Sequence, residues 1–88
     1  KGTQILRTED LAVWKNKDEA AGRLCVALFN LSDEEQTVSV DIEKLGEDAL
    51  ISEDTVLFEL WEQKETTVVS GRIEAGIPAH GVKVYRAE

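Results

Sequence analysis

The chain has one cysteine, one histidine, one proline and no methionine. With Cys25 alone, neither an internal disulfide nor a zinc site built from cysteine pairs can form. His80 is equally isolated, so a nucleophile–base pair or metal cluster built on imidazole lacks partners. There is no Gly-rich phosphate loop and no G-x-S-x-G elbow. Lys and Arg number 10 against 18 Asp and Glu, giving a net charge of -8 and a pI near 4.6. That balance argues against nucleic acid and against anionic membrane surfaces, both of which need clustered cations. No apolar run approaches the ~20 residues of a membrane-spanning helix, and no signal peptide is recognisable. The expectation is no catalytic residue, no metal and no cofactor.

What remains is a strand-rich chain. The hydrophobic share of 42% and charged share of 32% fit one globular domain over residues 1–88. The sequence starts at Lys1, which predicts a fragment of something longer. The compartment, cytoplasmic or secreted, would then depend on the missing part. The stretch Gly22 to Asp33 is the organising segment. Leu24, Val26 and Leu28 alternate with Cys25, Ala27 and Phe29, so both faces of the strand are apolar and both are expected to be buried. Cys25 reads as a small buried hydrophobe. Asn30, Ser32 and Asp33 end the strand, because short polar side chains bond their own backbone.

Other segments read as partners for this strand. Thr3 to Thr8 and Leu11 to Lys15 are short strands, and residues 16–22 make a hairpin connection. In Gln36 to Ile42, Val38, Val40 and Ile42 alternate with polar residues. Residues 42–46 suit at most one helical turn, capped by Asp41 and stopped by Gly46. An acidic loop, 47–54, leads to the apolar strand Thr55 to Trp61. Thr66 to Val69, Arg72 to Ile77 and Val82 to Arg86 follow. Pro78 belongs at a strand end, and Gly81 is assigned a backbone shape that a Cβ would disfavour. Seven or eight short strands with almost no helix predict an all-β antiparallel β-sandwich. The predicted core is Val26, Leu28, Val38, Val40, Phe58, Leu60, Ile73, Val82 and Val84.

The 18 carboxylates could in principle hide an acid–base pair, yet nearly all fall in turns or on polar strand faces. No run has the spacing of a calcium loop. Glu59, between Phe58 and Leu60, is the exception: partial burial is open to it, a polar outer face is the simpler assignment, and His80 is assigned to a turn bonded to backbone. Trp14, Trp61 and Tyr85 are the candidates for sugar stacking or for contact with another domain. The simpler reading has these rings filling or covering the core.

L-A-V-W, V-A-L-F-N-L-S, the L-G after a short turn, F-E-L-W and I-P-A-H-G-V-K-V-Y-R occur in a familiar order. They resemble the C-terminal β-sandwich domain of melibiase-type α-galactosidases and their α-N-acetylgalactosaminidase relatives, over almost the whole chain. The resemblance implies a catalytic (β/α)8 barrel elsewhere in the same polypeptide, where two aspartates act with retention. It implies an accessory role here: packing against that barrel over roughly 600–1,500 Å². It assigns Asn30 to a turn cap, Trp61 to a packing ring and His80-Gly81 to a bend. Trp14, Val13 and Leu57 are expected in an apolar patch facing the barrel. The alternative is a carbohydrate-binding module that holds sugar through exposed aromatics. An immunoglobulin-like interaction domain is a third reading, though the cysteine pair that often pins such folds is missing.

Overall fold

A computed structural model describes residues 2–18, 23–46 and 51–87. Eight strands follow in order: β1 Gly2–Arg7, β2 Leu11–Asp18, β3 Arg23–Asn30, β4 Gln36–Asp41, β5 Val56–Glu59, β6 Lys64–Thr67, β7 Arg72–Ile77 and β8 Val82–Ala87. Among the described residues, one 3-10 turn, Ile42–Leu45, stands between β4 and β5. The strands form a six-stranded sheet, β1-β2-β3-β8-β5-β6, and a two-stranded sheet, β4-β7, with every pairing antiparallel. The predicted antiparallel sandwich is present, with layers of very unequal width. Within the hairpin connection predicted over 16–22, residues 19–22 lie outside the described residues. So do residues 47–50 of the predicted acidic loop.

The core lies between the layers. From the large sheet come Val13, Leu24, Val26, Leu28, Leu57 and Tyr85, and from the small one Val38, Val40, Ile73 and Ile77. Leu45, fully buried, enters from the 3-10 turn, and Lys15 Nζ donates to its carbonyl at 2.6 Å. Burying one Leu or Ile contributes about 1.5–3 kcal/mol, so a dozen such side chains suffice to define one core.

Four predicted core positions are displaced. Phe58, Val82 and Val84 are half-buried and Leu60 is exposed. Strand period 2 puts them on the opposite face from Leu57, Glu59 and Tyr85, which point inward. Val13 and Leu57, expected in an outward patch, are core residues. Central β3 is not buried on both faces either: Leu24, Val26, Leu28 and Asn30 are buried, whereas Cys25, Ala27 and Phe29 are half-buried. The small sheet covers only the first set. Cys25 is accordingly a half-buried thiol.

Several local details also differ. β6 starts at Lys64 and ends at Thr67, with Val69 in an isolated bridge to Arg72. Asp41 occupies the cap position of the 3-10 turn without a side-chain cap bond, while Gly46, at φ 91°, ends it as expected. Near the last strand, His80 rather than Gly81 takes the left-handed conformation, at φ 58°. Gly81 is needed for proximity. A Cβ there would lie 3.0 Å from the Pro78 carbonyl oxygen and 3.1 Å from Ile77 Cγ2.

Two of the four passages of the chain between the sheets, β3 to β4 and β7 to β8, meet at Asn30, which is 1% exposed. Its Oδ1 accepts from the Ser32 N–H at 2.9 Å and from Ser32 Oγ at 2.8 Å, the turn bond expected from sequence. Its Nδ2 reaches the carbonyls of Glu34 (2.7 Å), Ile77 (2.8 Å) and Pro78 (3.1 Å). The Asn30 N–H donates to Gly81 O, and the His80 N–H to Ser32 O. One amide thereby ties two connections that are 47 residues apart in sequence.

Candidate functional site

The three aromatic candidates occupy three different settings. Tyr85 is 5% exposed and points into the core beside Glu59. Its phenol pKa is raised above 10.0, first by burial and then by the negative charges of Glu59 and Glu62. Trp14 stands on β2, on the face of the large sheet that the small sheet does not cover. Trp61 follows β5, in the turn to β6, and is 72% exposed. It is not packed within the sandwich. Tyr85 therefore does not share a surface with the two tryptophans.

Glu59 explains how Trp61 is held. It is buried, at 4% exposure, rather than on the polar outer face assigned to it. Glu59 Oε2 accepts the Trp61 N–H and Oε1 accepts the Glu62 N–H, both at 2.8 Å. A buried carboxylate is costly unless such donors compensate it. The turn supplies two, and Gln63 completes it at φ 57°. The Leu60 N–H donates to Val84 O at 2.9 Å, which fixes the turn to β8.

The uncovered sheet face carries the more extensive feature. Residues opposed across antiparallel strands share a face. Trp14 opposes Ala27, and Ala27 opposes Val84. Leu60 lies next to Val84 through its backbone bond. These four make one row across β2, β3, β8 and the end of β5. A second row is Ala12, Phe29 and Val82. A third is Asn16, Cys25, Arg86 and Phe58. Arg86 Cζ stands 5.2 Å from the centre of the Phe58 ring, within cation–π range. In sequence, β3 is apolar on both faces, a pattern that predicts burial of both. The signal was present, but its second face is surface.

Elsewhere there is little to do chemistry. A shallow cleft of about 220 Å³ lies between the β1 edge and the small sheet, lined by Leu6, Val40, Asp41, Lys44 and Arg72 among others. It is smaller than an ordinary ligand pocket of ~300–1,000 Å³. Among the described residues, no group of three His, Cys, Asp or Glu could hold a metal ion. Exposed His80 Nε2 lies 2.6 Å from Asp33 Oδ1, a pair of the kind that adds little stability.

Comparison with known proteins gives consistent results. The family model described as "Alpha galactosidase C-terminal beta sandwich domain" matches residues 8–87. An α-galactosidase of Cyamopsis tetragonoloba is 31% identical over 84 residues, 96% of this chain but only 20% of that protein. A GH27 β-L-arabinopyranosidase from Geobacillus stearothermophilus superposes with a TM-score of 0.83 at 25% identity, over 100% of this chain and 19% of that one. The fold is also that of part of α-galactosidase I from Mortierella vinacea: TM-score 0.81 at 21% identity, covering 98% of this chain and 22% of that one. The chain thus spans about a fifth of the length of these relatives. With the model match covering nearly every residue and the sandwich observed, the chain belongs to the α-galactosidase C-terminal β-sandwich domain family.

Proposed function

We propose that this chain is the non-catalytic C-terminal module of an α-galactosidase-like glycoside hydrolase. It packs against the (β/α)8 catalytic barrel of the same polypeptide and stabilises it. The observation that carries this reading is the family match over residues 8–87, in relatives roughly five times as long. In that role the module needs no reactive side chain. It needs a stable frame and a surface complementary to its neighbour, and inter-domain contacts of this kind bury about 600–1,500 Å².

The test is deletion. The parent polypeptide is produced with and without residues 1–88, and soluble yield, thermal inactivation and hydrolysis of an α-galactoside are measured. The shortened enzyme should inactivate at lower temperature while its intact fraction keeps its turnover. Equal thermal inactivation with and without the module would overturn the stabilising role. Hydrolysis by residues 1–88 alone would overturn the non-catalytic one.

A further inference from the structure

We propose that the uncovered face of the six-stranded sheet is the surface on which the catalytic barrel sits, with Trp61 anchoring its edge. The proposal rests on the accessory-domain reading above and names the face that reading leaves open.

The two outer faces of the sandwich differ in character. On the small sheet the outward residues are Thr37, Ser39 and Asp41 of β4 and Arg72, Glu74 and Gly76 of β7, an ordinary solvated set. The outward face of the large sheet carries Glu65 on its edge strand β6, opposite Phe58, but on the four inner strands the outward positions 12, 14 and 16, 25, 27 and 29, 82, 84 and 86, and 56, 58 and 60 include no carboxylate. This is so in a chain with 18 of them among 88 residues. Ten of those twelve positions are Ala, Val, Leu, Phe, Trp or Cys, all but Asn16 and Arg86.

The face is also the right size. Strands about 4.8 Å apart, with outward side chains about 7 Å apart along each strand, give four strands a patch of roughly 300–400 Å² in projection. Covering both partners would bury about twice that, within the inter-domain range. Contiguous apolar patches above a few hundred Å² rarely face water unless they bind something. Ala27 lies mid-row between Trp14 and the Val84–Leu60 pair, so larger side chains flank a low centre that suits a protruding apolar ridge. The relatives are about five times longer than this chain, so the occupant available to every copy is the remainder of the same polypeptide. Trp61, 72% exposed, follows Leu60 in a turn whose backbone is fixed by the Trp61 and Glu62 N–H groups donating to the Glu59 carboxylate. The turn backbone needs no further ordering on docking, and an exposed Trp is a residue type enriched among interface hot spots.

The test is hydroxyl-radical footprinting of the full parent polypeptide at a dilution where it is monomeric, normalised to each side chain's intrinsic reactivity. Labelling of Trp61, Trp14 and Leu60 should fall to the level of buried Leu28. Val69, 60% exposed at the far end of the sandwich, should remain labelled. Trp61 and Trp14 reacting as fast as Val69 would overturn the proposal, even if deletion of the module still lowered barrel stability. Protection lost on dilution would assign the face to a second copy, and protection appearing only with added galactose would assign it to sugar. Either result overturns it too. As a second measurement, Trp61→Ala with Leu60→Ser in the full polypeptide should lower the inactivation temperature, whereas Val69→Ser should not.

Discussion

Replacing Asn30 with alanine tests whether one buried amide holds the two sheets in register. Its Nδ2 bond to Ile77 O is buried, and those to Glu34 O and Pro78 O are partly so. Leaving one buried carbonyl without a donor costs about 1–3 kcal/mol, and each remaining bond lost costs about 0.5–1.5 kcal/mol. Water can replace the outer bonds, so a total of about 3 kcal/mol is expected. At about 0.05–0.15 kcal/mol per residue, a domain of this size has roughly 4–13 kcal/mol in all. The melting midpoint should therefore fall by roughly 12–24 °C, at about 4–8 °C per kcal/mol. Urea and thermal unfolding of residues 1–88, followed by far-ultraviolet circular dichroism, would read it. Asn30→Asp should be worse still, because an anion would face three carbonyl oxygens at the same site. A shift below about 3 °C for Asn30→Ala, or an aspartate variant as stable as wild type, would refute the reasoning.

Glu59→Leu keeps an inward side chain of similar bulk but strands the N–H groups of Trp61 and Glu62. It should cost about 1–3 kcal/mol in urea unfolding, and Glu59→Gln, which retains one acceptor, should cost less. The two glycine substitutions should differ in sign. Gly81→Ala meets Pro78 O and Ile77 Cγ2 and should destabilise by about 1–3 kcal/mol. Gly76→Ala has only Glu35 Oε2 near, at 3.8 Å, and should stabilise by about 0.4–1 kcal/mol. Tyr85 is the only tyrosine, so its phenolate absorbance titrates one site. Its folded pKa is raised above the unfolded 10.0. Above that pH the unfolded chain releases the proton first, so stability is full below pH 10 and falls as pH climbs toward the folded value. Tyr85→Phe should remove that part of the alkaline loss, and an unchanged alkaline unfolding curve would contradict the buried phenol.

The antiparallel all-β class, the β2–β3 pairing, β7 to the residue and the single helical turn before Gly46 could be read from the chain. Each rests on local signals: period-2 alternation, turn residues and a glycine at positive φ. The Asn30 amide could be read only in part. Its bond to Ser32 is local, but its partners at Ile77 and Pro78 are 47 and 48 positions away, and no spacing rule reaches that far. Glu59 was misplaced for a related reason. A carboxylate between Phe58 and Leu60 looks like the polar member of an alternating strand, and only the bend after it shows that its oxygens turn inward to backbone donors.

The misassigned core residues share one cause, and it bears on function. On β5 the inward pair is Leu57 and Glu59, while the outward set is Val56 and Phe58, with Leu60 just beyond. On β8 the inward residues are Lys83, Tyr85 and Ala87, and the outward ones begin with Val82 and Val84. In both strands the outward side is the more apolar. Alternation identifies the core only where the other face meets water. When the greasier side of two adjacent strands lies outside, and β3 between them and β2 continues the same surface through Ala27 and Phe29 to Trp14, alternation alone assigns that surface to the core. A six-stranded sheet with a two-stranded lid on one side thus leaves an apolar face outward, the face proposed above for the catalytic barrel.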